Sequence, residues 1–83
     1  MRTTEAIRQL DLHERNVYQA RVAVEAALRR AGGLYRIRVV HGYRHGTAIR
    51  DMLYADMAAH AGVLRLERIN DGTTDIVLRE LVK

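Results

Sequence analysis

Eighty-three residues with a formal net charge of +4 and no cysteine are expected to form one domain over 1–83, near the lower size at which a chain supports its own core. Disulfide and thiolate sites are excluded, and no apolar run approaches the roughly 18 residues that a membrane span needs. Of the 14 basic residues only Lys83 is a lysine; an Arg-rich balance reads either as a phosphate-binding surface or as the amino-acid bias of a GC-rich coding sequence.

Residues 1–6 carry no apolar segment of the kind a signal peptide requires. They read as a flexible tail, and the expected location is the cytoplasm. Leu10-Asp11-Leu12 is a short strand that Ile7 extends, although Ile7 and Leu10 are out of phase for simple alternation. Asn16 to Ala31 reads as a helix. Ala20, Val24, Ala27, Leu28 and Ala31 form one apolar stripe, Asn16 and Gln19 have the spacing of a capping box, and Gly32-Gly33 stops the helix. Tyr35 to Val40 alternates Tyr35, Ile37 and Val39 against Arg36 and Arg38, the period of a strand. A second helix is expected from Ala48 to about His60, capped by Thr47 and ended by Gly62, with Ile49, Met52, Leu53 and Met57 inward. Val63 to Ile69 alternates again. Asn70-Asp71-Gly72-Thr73 is a turn signal, and Asp75 to Val82 is a last strand. Its run Ile76-Val77-Leu78 is that of a strand covered on both sides or central in the sheet.

The order is βαβαββ. Right-handed crossovers make the first three strands parallel and put both helices on one face, and the tight turn makes the fourth antiparallel. The expected fold class is an α+β two-layer sandwich with a four-stranded mixed sheet. His13 and His41 then end strands one and two at the same sheet edge, and the segment Gly72 to Thr74 reaches it. Ligands of open α/β sheets commonly bind at such an edge.

Three polar segments meet there. Asp11 and His13, two apart, are expected on one strand face, where a carboxylate orients an imidazole for proton transfer or the two share a metal. The alternative is that Asp11 caps a turn and His13 packs beside the first helix. His41-Gly42-Tyr43-Arg44-His45-Gly46-Thr47 is a glycine-bearing loop between a strand and a helix. Backbone N–H groups at such a helix start favour phosphate, Arg44 and Arg50 add charge, and Tyr43 offers a ring to a base. The alternative is a tight turn. No pair of histidines sits at i, i+4 on a helix, since His41 and His45 span a glycine loop, and no nucleophile elbow, Walker loop or dinucleotide fingerprint is present.

In order and spacing these segments resemble the Smr (small MutS-related) domain family. Leu10-Asp11-Leu12-His13 is similar to its L-D-L-H box. His41 to Arg50 is similar to its histidine-glycine loop in the form H-G-Y-x-x-G-T, and Asn70 to Val77 is similar to its closing segment. Two positions depart from the family's usual pattern: Glu14 stands where glycine is common, and Arg44 and His45 separate Gly42 from Gly46. The resemblance implies strand order 1-2-4-3, similar to the C-terminal domain of bacterial translation initiation factor three. It also implies binding to DNA or RNA and, in several members, endonuclease activity. Carried over by position, Asp11 and His13 fall on the box linked to cleavage, and His41, Gly42, Gly46 and Thr47 on the loop linked to nucleic-acid binding. Together with the reading of the residues themselves, the catalytic candidates are Asp11, His13 and His41, and the nucleic-acid-binding ones are Gly42, Tyr43, Arg44, His45, Gly46, Thr47, Arg50 and Thr74, with Mg²⁺ or Mn²⁺ as the candidate cofactor of cleavage. The rival expectation is a non-catalytic protein-interaction module. The placement of arginine discriminates: gathered at the histidine edge it favours nucleic acid, and spread evenly it favours the module.

Overall fold

Asn16 opens the first helix as its capping box predicts. Its side chain accepts from the Gln19 N–H at 2.7 Å, and the Gln19 side chain accepts from the Asn16 N–H at 3.1 Å. The computed structural model describes residues 7–44 and 46–80. Its elements are β1 (Ile7–Asp11), α1 (Val17–Arg29), β2 (Arg36–Val40), α2 (Ala48–Met52) with a π-helical turn (Leu53–Met57), β3 (Arg65–Asn70) and β4 (Thr73–Val77). Strand order is β1-β2-β4-β3. β1 and β2 are parallel, and β4 runs antiparallel to both of its neighbours. The mixed sheet and its order are those expected.

Register explains the two layers. Leu10 pairs with Val39, Val39 with Thr74, Ile37 with Ile76, and Ile76 with Leu66, so these side chains share one face. That face packs on Ala20, Val24 and Ala27 of α1 and on Ile49, Met52, Leu53 and Met57 of the second helix. Ile37, Val39, Ile76, Val24 and Leu53 are fully buried, each contributing about 1.5–3 kcal/mol. Ile7, out of phase with Leu10, faces away from this core and is half-exposed.

The face without helices is closed differently. Asp75 is 0% exposed and accepts from Arg38 Nε at 2.8 Å, Arg38 Nη2 at 2.9 Å and Arg36 Nη1 at 2.9 Å. Arg36 also donates to Glu67, which accepts from Arg65. Burial acts to raise the Asp75 pKa, but the hydrogen bonds from Arg38 and Arg36 outweigh it and hold the carboxyl below its ordinary value. Val77, whose strand neighbours are Arg36 and Arg65, is buried on this face too.

Several boundaries differ from the sequence reading. β4 begins at Thr73 rather than Asp75, because Thr73 and Thr74 pair with Val40 and Val39; threonine is β-branched and fits a pleat as well as a turn. β4 ends at Val77 rather than Val82, with one further bond in register as Leu78 N donates to Tyr35 O at 2.7 Å. The second helix widens into its π turn, where Ala58 N reaches Leu53 O, five residues back, at 3.2 Å. Leu64 precedes β3 and is exposed. The tail over 1–6 and the residues Leu81 and Val82, assigned from sequence to the last strand, lie outside the described residues. Among the described residues no helix is long and apolar enough to cross a membrane.

The ion cluster gives a stability prediction. Arg38→Ala leaves buried Asp75 with Arg36 alone and is expected to cost about 2 kcal/mol, less than orphaning a buried charge completely. For a domain of this size that lowers the melting temperature by about 10 °C, read by circular dichroism at pH 7. Because the Asp75 pKa is lowered by folding, the contribution is present above the ordinary carboxylate range and is lost as pH falls through the depressed value.

Candidate functional site

The site begins with one carbonyl. Gly72 O, in the hairpin between β3 and β4, accepts from His41 N at 2.9 Å and from Gly42 N at 3.0 Å. The loop after β2 is thereby tied to the start of β4. The His41 ring adds two bonds. Its Nδ1 lies 2.9 Å from Gly42 O and its Nε2 3.0 Å from Thr74 Oγ1. A carbonyl only accepts, so Nδ1 carries the hydrogen, and in the neutral ring Nε2 accepts from the Thr74 hydroxyl. His41 is 6% and Thr74 1% exposed.

Gly42 brings in the third segment. Its φ is +75°, and a Cβ there would lie 3.0 Å from His13 Cβ; side chains are disfavoured on both counts. A Cβ on Gly72 would meet Tyr43 Cδ2 at 3.2 Å and Gly42 Cα at 3.4 Å. The L-D-L-H box, the histidine-glycine loop and the hairpin therefore touch one another at two glycines.

Asp11 and His13 do pair, by a route other than a shared strand face. β1 ends at Asp11 and the chain turns, with Arg15 N donating to Leu12 O at 3.0 Å. The Asp11 carboxylate folds over this turn, 3.3 Å from His13 N and 2.5 Å from His13 Nδ1. Glu14 Oε2 lies 3.5 Å from the other ring nitrogen. The hydrogen bond and charge of Asp11, with a smaller contribution from Glu14, raise the His13 pKa. The same bonds lower that of Asp11.

Around this junction lies a cleft of about 660 Å³. Asp11, His13, Tyr43, Arg44 and Arg50 line it, together with Gly42 and Gly46. Gly46 has φ +98° and open space around it, so the backbone is accessible there. Arg15, which sequence reasoning did not single out, lines the cleft as well. Its position two residues after His13 was the available signal. Arg15 and Arg44 have no carboxylate partner among the described residues, whereas Arg50 lies 3.4 Å from Asp51.

Two expectations are corrected. Thr74 cannot meet a ligand, because its side chain is buried against His41. Thr47 does precede α2, but its side chain makes no cap bond. Its hydroxyl donates to Asp51 Oδ2 at 2.8 Å, and that first-turn carboxylate already answers the positive end of the helix. His45 lies outside the described residues.

The crystal structure of the Smr domain of Thermus thermophilus MutS2 matches this chain with a TM-score of 0.78 and 26% identity, covering 88% of this chain and 99% of that one. This chain is an Smr-like domain. No family model and no curated protein matches its sequence. In this Smr-like domain the two polar boxes and the closing segment meet at the C-terminal ends of β1 and β2, the edge at which open α/β sheets bind ligands.

The Asp11–His13 pair sets a pH window. It weakens on the alkaline side as His13 loses its proton above the ordinary imidazole value, and on the acid side as Asp11 gains one below the ordinary carboxylate value. A pH titration by NMR is expected to place the His13 midpoint above that of free histidine. Asp11→Asn should bring it down; an unchanged midpoint would show that the pair does not form.

Proposed function

We propose that this Smr-like domain binds DNA or RNA in the cleft, with Arg15 and Arg44 contacting phosphates. The observation that carries the reading is the state of those two guanidinium groups. Both line the cleft and neither is neutralised by a carboxylate among the described residues. Arg21, Arg36, Arg38, Arg65 and Arg68 are all ion-paired away from the cleft. Arginine as a whole does not gather at the histidine edge. Arg29 and Arg30, for instance, lie at the far end of α1, where they complement its dipole. The support for nucleic acid over a protein partner is therefore the narrower fact of two unneutralised arginines in a concave site, with Arg50 and the open backbone at Gly46 beside them. His41 also lines the cleft, with both ring nitrogens engaged by Gly42 and Thr74, and holds the loop in place.

A second reading, endonuclease activity, is favoured by the Asp11–His13 pair at the cleft. In hydrolysis a water oxygen bonds to phosphorus and releases a proton to solvent, the bridging P–O bond breaks and the leaving oxygen takes a proton. His13 Nε2 is the group able to supply that proton, with Asp11 orienting the ring through Nδ1. His41, with both ring nitrogens engaged, has no such role. Among the described residues no three His, Asp or Glu side chains converge on a point that would hold an ion. The described residues do not by themselves form a complete site for Mg²⁺ or Mn²⁺, and the chemistry that Asp11 and His13 offer is proton transfer.

The test is binding of labelled RNA and branched DNA over a series of salt concentrations. Arg15→Ala and Arg44→Ala are each expected to weaken binding and to flatten the salt dependence by about one unit. Unchanged slopes in both would reject the phosphate contacts. The same substrates incubated with and without Mg²⁺ or Mn²⁺ report cleavage, which Asp11→Ala/His13→Ala should abolish while binding persists.

A further inference from the structure

The cleft contains more than phosphate recognition requires. Besides Arg15 and Arg44 it is lined by the apolar residues Val17, Val40 and Ile49 and by Tyr43. The Tyr43 ring is not part of the core. It is 60% exposed and is set beside Gly72, where a Cβ would come within 3.2 Å of Tyr43 Cδ2. The hairpin glycine thus gives the ring room to lie against the backbone, and much of the ring faces outward.

An undistorted nucleic-acid duplex matches such a surface poorly. Its bases are stacked inside, and its exterior offers phosphate, sugar and base edges. A flat basic surface would serve it as well as a cleft. An unpaired nucleotide presents an aromatic base face and an anionic phosphate together. The pattern that holds it is an aromatic platform within a basic groove. The cleft volume of about 660 Å³ falls within the range of roughly 300–1,000 Å³ typical of sites that enclose small ligands. Apolar lining, an exposed ring and two unneutralised arginines are complementary to that combination, whereas an undistorted duplex would engage only part of them.

We infer that the ligand of the cleft is single-stranded nucleic acid, one base of which packs between the Tyr43 ring and the apolar lining while Arg15 and Arg44 hold the flanking phosphates. This rests on the nucleic-acid reading above and adds the strandedness of the ligand and the residue that selects it. A duplex would then be accepted only where a base is unpaired, at an end, a flap or a junction.

Fluorescence anisotropy of the full chain decides the matter. The probes are labelled 12-nucleotide single strands of RNA and of DNA and the blunt DNA duplex of the same sequence, all at one salt concentration. At least one single strand is expected to bind about ten-fold or more tightly than the duplex. Tyr43→Ala should weaken that binding by about 5- to 100-fold, the usual loss of one base–aromatic stack, and Tyr43→Phe should recover most of it. Melting curves of both variants check the fold, and Tyr43→Phe separates the ring from the hydroxyl. Preference for RNA or for DNA identifies the sugar, and either supports the inference. Duplex binding as tight as that of both single strands, or a Tyr43→Ala variant that binds as well as the original chain, overturns the inference and leaves the nucleic-acid reading intact. Binding of none of the probes overturns both.

Discussion

The site depends on a single acceptor. Gly72 O takes hydrogen bonds from two successive amides, His41 N and Gly42 N, and so closes the β2 loop against the β3–β4 hairpin. The two segments are some thirty residues apart in sequence, and β4 comes between β2 and β3 only because it returns antiparallel to both. Once the loop is fixed there, Gly42 lies against His13 with no space for a side chain. The cleft is what remains between three segments held this closely. His41 reinforces the junction from below through Thr74 and the Gly42 carbonyl.

This arrangement divides the polar residues of the motifs into two groups. His41, Thr74 and the two close-packed glycines hold the junction together, the His41 ring bonded to the Thr74 hydroxyl and the glycines in contact, although His41, Gly42 and Gly72 line the cleft as well. Asp11, His13, Arg15, Tyr43, Arg44 and Arg50 border the cleft. A polar residue beside a site is therefore no guide by itself to contact with a ligand. What matters is whether its hydrogen-bonding groups are already engaged, and for a buried group they nearly always are. The same distinction applies to arginine. Arg36 and Arg38 are engaged by Asp75 on the helix-free face, where they cover a buried carboxylate and Val77 instead of offering charge to a partner.

Much of this was legible in the sequence because it rests on local rules. The apolar stripe of α1, the Asn16–Gln19 cap and the Arg36–Val40 alternation each specify an element within a few residues. The convergence of the three motifs followed from right-handed crossovers and one tight turn. What was not legible depended on partners distant in sequence. Thr73 and Thr74 have the composition of a turn, and only pairing with β2 shows them to be strand. His41 carries a reactive group, and only Thr74 and Gly42 show that group to be engaged. Thr47 has the residue type of a cap, but Asp51 captures its hydroxyl. Arg15 carries no motif signature; its importance comes from where the turn after β1 directs the chain. The Asp11–His13 pair was expected for the wrong geometric reason, since a turn and not a strand face joins them.

Ligand entry between these three segments is the central proposal. An NMR titration of ¹⁵N-labelled protein with an unlabelled single-stranded oligonucleotide tests it most directly. The largest shift changes are predicted for the amides of Asp11 to Arg15, Gly42 to Arg44 and Asn70 to Gly72, with β3 and the far end of α1 little affected. Changes centred on the Arg36, Arg38 and Asp75 face, with the cleft amides unmoved, would contradict it.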